Sequence, residues 1–269
     1  MSTLQGKVTV ITGAAVGIGA GFARVFAKEG SDLALCDVRP EVIQLAVDLQ
    51  REHGIRAFGV VADVRSASDV KGFIDGAAAR LGGIDYVVAN AGVWRATFPL
   101  ADSWEKGLDD WDILVNTNLR GVFMTGRAAI PHLVARGAGG HILNIATDHI
   151  FPPEGTSTGG GTRMDIYDSS KWGINGMTQA WARNLAPHGI RVNALCMDAT
   201  DSMMIRGAVG ERLTDEIVKT WMRPEQIAQL GLDLIAEGLE GRTGENIGAW
   251  LGHEVKLPAR RVPLPSRFS

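Results

Sequence analysis

The sequence predicts an α/β protein built on one doubly wound parallel β-sheet, with helices covering both faces. Two observations carry that prediction. Short runs that are apolar on both faces recur along the chain, among them Lys7 to Thr12, Asp32 to Cys36 and Ile84 to Ala89, and strands of that kind belong in sheets covered on both sides. Longer segments with apolar residues at helical spacing separate them, so strand and helix alternate. A third observation bounds the domain count. The 269 residues show no internal repeat and no linker, so residues 1–252 read as one domain, followed by a basic, proline-bearing tail over 253–269.

The first strand runs into the glycine-rich turn Thr12-Gly13-Ala14-Ala15-Val16-Gly17-Ile18-Gly19, and a helical pattern follows through Phe22, Val25 and Phe26. Glycines let backbone amides approach a pyrophosphate, and the helix N-terminus adds partial positive charge. Gly13, Val16, Gly17, Ile18 and Gly19 are therefore candidate phosphate contacts, although an isolated turn of this kind is also ordinary loop chemistry. The second strand supplies support. It ends at Asp37, about twenty residues past the glycines, where an acid can hydrogen-bond an adenosine ribose.

Glu41 to His53 reads as a helix, Arg56 to Ala62 as the third strand, Ser68 to Leu81 as a helix and Ile84 to Ala89 as the fourth strand. Ligands of such sheets bind at the carboxyl ends of the strands. Asp63, with Val64 beside it, and the turn Asn90-Ala91-Gly92 fall at those ends, as cofactor contacts or as capping and turn residues. A long helix is expected over Trp111 to Arg136, kinked or broken near Pro131, with Asn118 within it. His141 to Ala146 is the fifth strand and delivers Thr147, Asp148 and His149 to the same edge.

A polar, glycine-rich loop from Pro152 to Thr162 leads to Tyr167-Asp168-Ser169-Ser170-Lys171. On a helix the phenol and the amine share one face, and an ammonium beside a phenol favours the phenolate. That pair is a candidate acid/base. A sixth strand begins over Gly189 to Ala194. Met197 to Trp221 reads as a flap or a covering helix pair, Pro224 to Glu237 as a helix and Asn246 to Leu251 as the last strand.

Composition excludes several classes. A net charge of −3 with 45% hydrophobic and 21% charged residues offers nothing to nucleic acid or an anionic membrane. Cys36 and Cys196 sit in apolar runs and read as core residues, not a disulfide. No metal site, signal peptide or membrane span is expected, which places the protein in the cytoplasm.

Taken together, Thr12-Gly13-x-x-x-Gly17-x-Gly19, Asp63, Asn90-Ala91-Gly92, Asn118, the hydroxyl of Thr147 and Tyr167-x-x-x-Lys171 resemble the short-chain dehydrogenase/reductase family in order and spacing over nearly the whole chain. Arg191-Val192-Asn193-Ala194 and Thr243-Gly244-Glu245 extend the match. The resemblance implies a Rossmann-type dinucleotide-binding and catalytic domain. It implies that Tyr167 exchanges a proton with the substrate oxygen, that Lys171 lowers the tyrosine pKa and holds the nicotinamide ribose, and that Asn118 supports a water-linked proton path. Thr147 takes the place of the family's serine, which hydrogen-bonds the substrate oxygen. Three departures stand out: threonine for that serine, a longer loop before Tyr167, and Met197-Asp198 where the family usually has Pro-Gly. Ser202 is the candidate for the threonine that follows.

The expected activity is hydride transfer between NAD and a secondary alcohol or ketone, cyclic or aromatic. Asp37 favours NAD because it would repel a phosphate on the adenosine ribose. Alternatives are an NAD-retaining epimerase or dehydratase and a non-catalytic dinucleotide-binding regulator. The family also implies a homotetramer or homodimer built through the long helices after the fourth and fifth strands.

Overall fold

A computed structural model describes residues 4–150 and 164–259. Seven strands form one parallel sheet in the order β3-β2-β1-β4-β5-β6-β7. They are β1 (Val8–Thr12), β2 (Asp32–Asp37), β3 (Ala57–Val61), β4 (Tyr86–Ala89), β5 (Gly140–Ile145), β6 (Ile190–Met197) and β7 (Asn246–Ala249). Every residue of β1, β2 and β6 is buried, as a parallel sheet covered on both faces requires.

Alternate residues feed two cores. Ile11, Leu33, Leu35 and Leu143 join Phe22 and Phe26 of α1 (Gly17–Lys28) and Leu230 and Leu234 of α9 (Pro224–Ala236). Val10, Ala34, Val87 and Ile142 pack instead with Phe73 and Ile74 of α3 (Ala67–Leu81) and Leu133 of α5 (Gly121–Arg136). The helix α2 (Glu41–His53) ends where predicted, on Gly54 at φ 68°, a left-handed position that glycine reaches without a Cβ penalty.

The central helix differs from the sequence expectation. It begins earlier, as α4 (Trp104–Leu114) capped by Ser103, and passes through a π-helical stretch, Val115–Arg120, before α5. Pro131 lies inside α5 without ending it. A proline removes one helical hydrogen bond, and the packing of Ala129 and Leu133 into the core holds the helix across it.

The segment after β6 is a pair of short helices, α7 (Met203–Val209) and α8 (Asp215–Thr220), neither with a buried residue. The start of the tail docks: Val255 and Leu257 pack against the first core, and Arg242 donates to the Pro258 carbonyl at 3.0 Å. Among the described residues, no helix is long and apolar enough to cross a membrane, and Cys36 and Cys196 are buried free thiols.

Candidate active site

Strand order reverses between β1 and β4, and the crevice at such a point is where parallel sheets bind ligands. The glycine turn closes it from one side. A Cβ on Gly19 would lie 2.1 Å from the Gly13 carbonyl oxygen, and one on Gly13, at φ +65°, 2.7 Å from Ala91 Cα. Thr12 Oγ1 accepts from the amides of Asn90 and Ala91 at 3.2 Å each, and Asn90 Nδ2 donates to the carbonyls of Thr12 at 3.0 Å and Gly13 at 2.9 Å. The side chains of Thr12 and Asn90 stitch each turn to the backbone of the other.

Asp37 ends β2 beside them. One carboxylate oxygen accepts from the Ala15 amide at 2.9 Å and the other from the Arg39 amide at 3.0 Å. Each oxygen keeps a further lone pair for a ribose hydroxyl. A Cβ on Gly17 would meet Ser202 Cβ at 3.1 Å, so Ser202, which caps α7 through the Ile205 amide at 3.4 Å, overhangs the same turn. Val16 and Ile18 flank Gly17 at the start of α1. A turn whose glycines leave no room for a Cβ, opening a helix and facing an acid, fits a dinucleotide.

Asp63 and Val64 are engaged within the protein. The Arg65 guanidinium and amide bind the Asp63 carboxylate and hold its pKa below the usual range. Val64 is buried in the second core, and its Cγ2 lies 2.9 Å from where a Gly121 Cβ would be. These contacts are the capping and packing chemistry open to residues at the end of β3.

The other side of the crevice gathers the candidate catalytic groups. Asn118, fully buried in the π-helical stretch, accepts from the Val93 amide at 2.8 Å and donates to the Val93 carbonyl at 2.9 Å and to Ser170 Oγ at 3.2 Å. Gly92 lies between two of them: a Cβ there would sit 3.2 Å from Asn118 Oδ1 and 3.5 Å from Lys171 Nζ. Lys171 and Tyr167 project from α6 (Asp165–Leu185), both buried. Lys171 Nζ donates to the Ile145 carbonyl at 3.1 Å, and Thr147 hydrogen-bonds the Tyr167 phenol. Asn118, Thr147, Tyr167 and Lys171, distant in sequence, therefore meet.

A family model described as short chain dehydrogenase matches residues 7–212. The chain belongs to the short-chain dehydrogenase/reductase family. Members of this family are oxidoreductases that use a nicotinamide cofactor. The chain is 37% identical over 195 residues to 2-dehydro-3-deoxy-D-gluconate 5-dehydrogenase of Escherichia coli strain K12, covering 72% of this chain and 71% of that one. Among solved structures it resembles carveol dehydrogenase from Mycobacterium avium in complex with NAD, with 25% identity, a TM-score of 0.79 and coverage of 92% and 97%. It also resembles a short chain dehydrogenase from Burkholderia cenocepacia in complex with NADP, with 28% identity, a TM-score of 0.76 and the same coverage of 92% and 97%.

One expectation drawn from the Tyr-x-x-x-Lys pair changes within this short-chain dehydrogenase fold. Burial raises the Tyr167 pKa, Asp168 and Asp148 add to the rise, and the Thr147 hydrogen bond opposes it. Burial pushes Lys171 down to about 8. In the chain by itself, desolvation thus outweighs the help an ammonium gives a phenolate.

Sequence reasoning brought Asp148 and His149 to this edge without their coupling to the helix that carries Tyr167. His149 Nδ1 pairs with Asp168 Oδ1 at 2.7 Å, and the His149 ring meets the Tyr167 ring edge-on at 6.0 Å. The Asp168 bond raises the His149 pKa. Asp148, also buried, accepts from Thr147 Oγ1 at 3.3 Å. The available signal was an acid inside the Tyr167 to Lys171 motif, opposite a histidine two residues past Thr147.

Beside the crevice, Trp94 packs against Leu114, Met164 and Tyr167. Trp221 is buried, Met203 and Met204 are exposed, and Arg95 pairs with Asp110. Phe151, Arg163 and the loop Gly155 to Thr162 lie outside the described residues.

Proposed function

We propose that the protein is an NAD-dependent dehydrogenase that interconverts a secondary alcohol and its ketone, the alcohol being cyclic or aromatic. The observation that carries this reading is the meeting of Thr147, Tyr167, Lys171 and Asn118 around one crevice. A bound nicotinamide cofactor supplies or accepts the hydride. Gly13, Val16, Gly17, Ile18 and Gly19 hold its phosphates, Asp37 its adenosine ribose, Lys171 its nicotinamide ribose, and Asn90, Ala91, Gly92, Asp63, Val64 and Ser202 border it. Tyr167 takes the hydroxyl proton in oxidation and returns it in reduction, Thr147 orients the substrate oxygen, and positioning contributes much of the rate. Asn118 maintains the proton path behind Lys171.

Asp37 supports NAD over NADP, since a phosphate on the same ribose would meet a carboxylate already held by two backbone amides. Titration with NADH and NADPH tests this; equal affinity removes the assignment. The apolar group around Trp94 supports a ring-bearing substrate. Exposed Trp104, Leu108 and Trp111 on α4, Phe123 on α5 and Trp172 on α6 support a homodimer or homotetramer through those helices. Buried free thiols suit a reducing cytoplasm.

The deciding experiment is NADH formation from NAD with a panel of alcohols, run on the wild type and Tyr167→Phe. Carveol and 2-dehydro-3-deoxy-D-gluconate, substrates in the names of two relatives, set the apolar and acidic ends of the panel. Turnover by the wild type and its loss in a variant that still binds NAD supports the reading. Turnover retained in Tyr167→Phe overturns it.

A further inference from the structure

The residue after Thr147 is built into the same hydrogen-bond chain, and it is an acid with an unusual environment. Asp148 is 2% exposed, at the start of the short 3-10 turn Asp148–Ile150. One carboxyl oxygen accepts from Thr147 Oγ1 at 3.3 Å, while the other, Oδ2, is buried without a hydrogen-bond partner. Thr147 in turn bonds the Tyr167 phenol. The chain therefore runs Tyr167 to Thr147 to Asp148.

Two facts make this arrangement responsive. A hydroxyl has one proton, so a Thr147 that donates to a carboxylate presents only lone pairs to its other neighbours. A buried carboxylate with one oxygen unsatisfied is costly, and the surroundings add to the cost. Asp198, buried at the end of β6, acts on Asp148 as a like charge, and His149 offsets it in part. From α6, Tyr167 faces it, with Asp168 spoken for by His149, and Cys196 of β6 feels its charge. Burial, followed by Asp198, pushes the Asp148 carboxyl up to about 6.

We propose that Asp148 is a positioning residue for Thr147: the state of its buried carboxyl decides which way the Thr147 hydroxyl aims its proton, and so whether the site can polarise a carbonyl. When Asp148 is neutral, its own O–H donates to Thr147 Oγ1, and the threonine proton turns to the substrate oxygen. When Asp148 is ionised, it takes the threonine proton in a hydrogen bond. A carbonyl oxygen, which only accepts, then faces lone pairs. An alcohol oxygen carries its own proton and tolerates either state. Reduction should therefore weaken as pH rises through the Asp148 titration, and oxidation should lack that limb. This inference rests on the roles proposed above for Thr147 and Tyr167.

The first test needs no substrate. Infrared titration of the cofactor-free protein should show one carboxyl that loses its proton near pH 6, absent from Asp148→Asn, with its midpoint raised in Thr147→Val because the hydroxyl donor is gone. A midpoint unmoved in Thr147→Val, or the same band in Asp148→Asn, overturns the coupling. The second test follows acetophenone and cyclohexanone reduction by NADH against pH. In the wild type the rate should fall about tenfold per unit above the Asp148 midpoint. Asp148→Asn, whose amide can donate to Thr147 at every pH, should be flat there, and His149→Gln should keep the limb. A limb that persists in Asp148→Asn refutes the proposal. A limb lost in His149→Gln and kept in Asp148→Asn assigns the ionisation to His149 instead. Loss of turnover in Tyr167→Phe bears on the catalytic reading alone, so the two ideas fail separately.

Discussion

The two sides of the crevice are built by different means. On the β1–β4 side every contact ends on the backbone: the Gly13 carbonyl 2.1 Å from a would-be Gly19 Cβ, the Thr12 hydroxyl and the Asn90 side-chain amide on main-chain groups of the facing turn, and Asp37 on the Ala15 amide. On the β5–β6 side the contacts run through buried ionisable side chains, Lys171, Tyr167, Asp148, Asp168 and Asp198. The first side follows the family's pattern, and the second holds its departures, Thr147 and Met197-Asp198. Steric closure tolerates no addition of atoms, whereas a charge network tolerates exchange of groups and answers in its protonation. Changes on the first side should break binding or folding. Changes on the second should alter rate and pH dependence.

The largest expected effect belongs to the second side. Tyr167→Phe should lower turnover by about 10³-fold while NADH affinity, read by fluorescence titration, stays within about twofold of wild type. A comparable loss of NADH affinity would blur the division. Gly19→Ala should do the reverse, destabilising the protein by about 3 kcal/mol and abolishing cofactor binding, because neither the Gly13 carbonyl nor Asn90 Nδ2, 2.6 Å from the new Cβ, has room to move. Thermal unfolding with and without NAD checks it; an unchanged midpoint would mean that the turn is looser than its geometry.

Smaller effects sharpen the second side. Thr147→Val should cost about 10²-fold in turnover, and Thr147→Ser should stay near wild type because the hydroxyl is kept. Equal activity in both would remove Thr147 from the mechanism. Asp148→Asn should leave stability unchanged at low pH and raise it by about 3 kcal/mol at pH 8. The sign follows from a folded-state pKa of about 6 against an ordinary 3.8. The unfolded chain ionises first, so the wild type loses stability as pH climbs between those values and the variant does not. Chemical denaturation at both pH values measures it, and an equal difference at both would exclude titration of Asp148 as the source.

Several elements were legible in the chain itself. The helix Glu41–His53 has the bounds that its periodicity predicts, and the strand runs up to β5 lie where their apolar character puts them. The Tyr167 and Lys171 spacing does place both on one buried helix face. The central helix was less legible. Local propensity pointed to Pro131 as the irregular position, while the irregular stretch is Val115–Arg120, where Asn118 reaches the Val93 backbone across the crevice. A π-helical insertion is set by such contacts and leaves little local trace.

By itself, then, the sequence determined the alternation of strand and helix, the glycine turn with its acid, and the tyrosine and lysine on one helix face, because periodicity and backbone freedom are properties of neighbouring residues. The tertiary structure alone decided that Val64 packs under Gly121, that Asp63 is held by Arg65, and that burial raises Tyr167 and lowers Lys171. It also decided that Asp148 accepts from Thr147 and is raised in pKa by burial and by the Asp198 charge. Desolvation and charge coupling depend on groups brought together from β5, α6 and β6, and no local pattern encodes how deeply those groups are buried against one another.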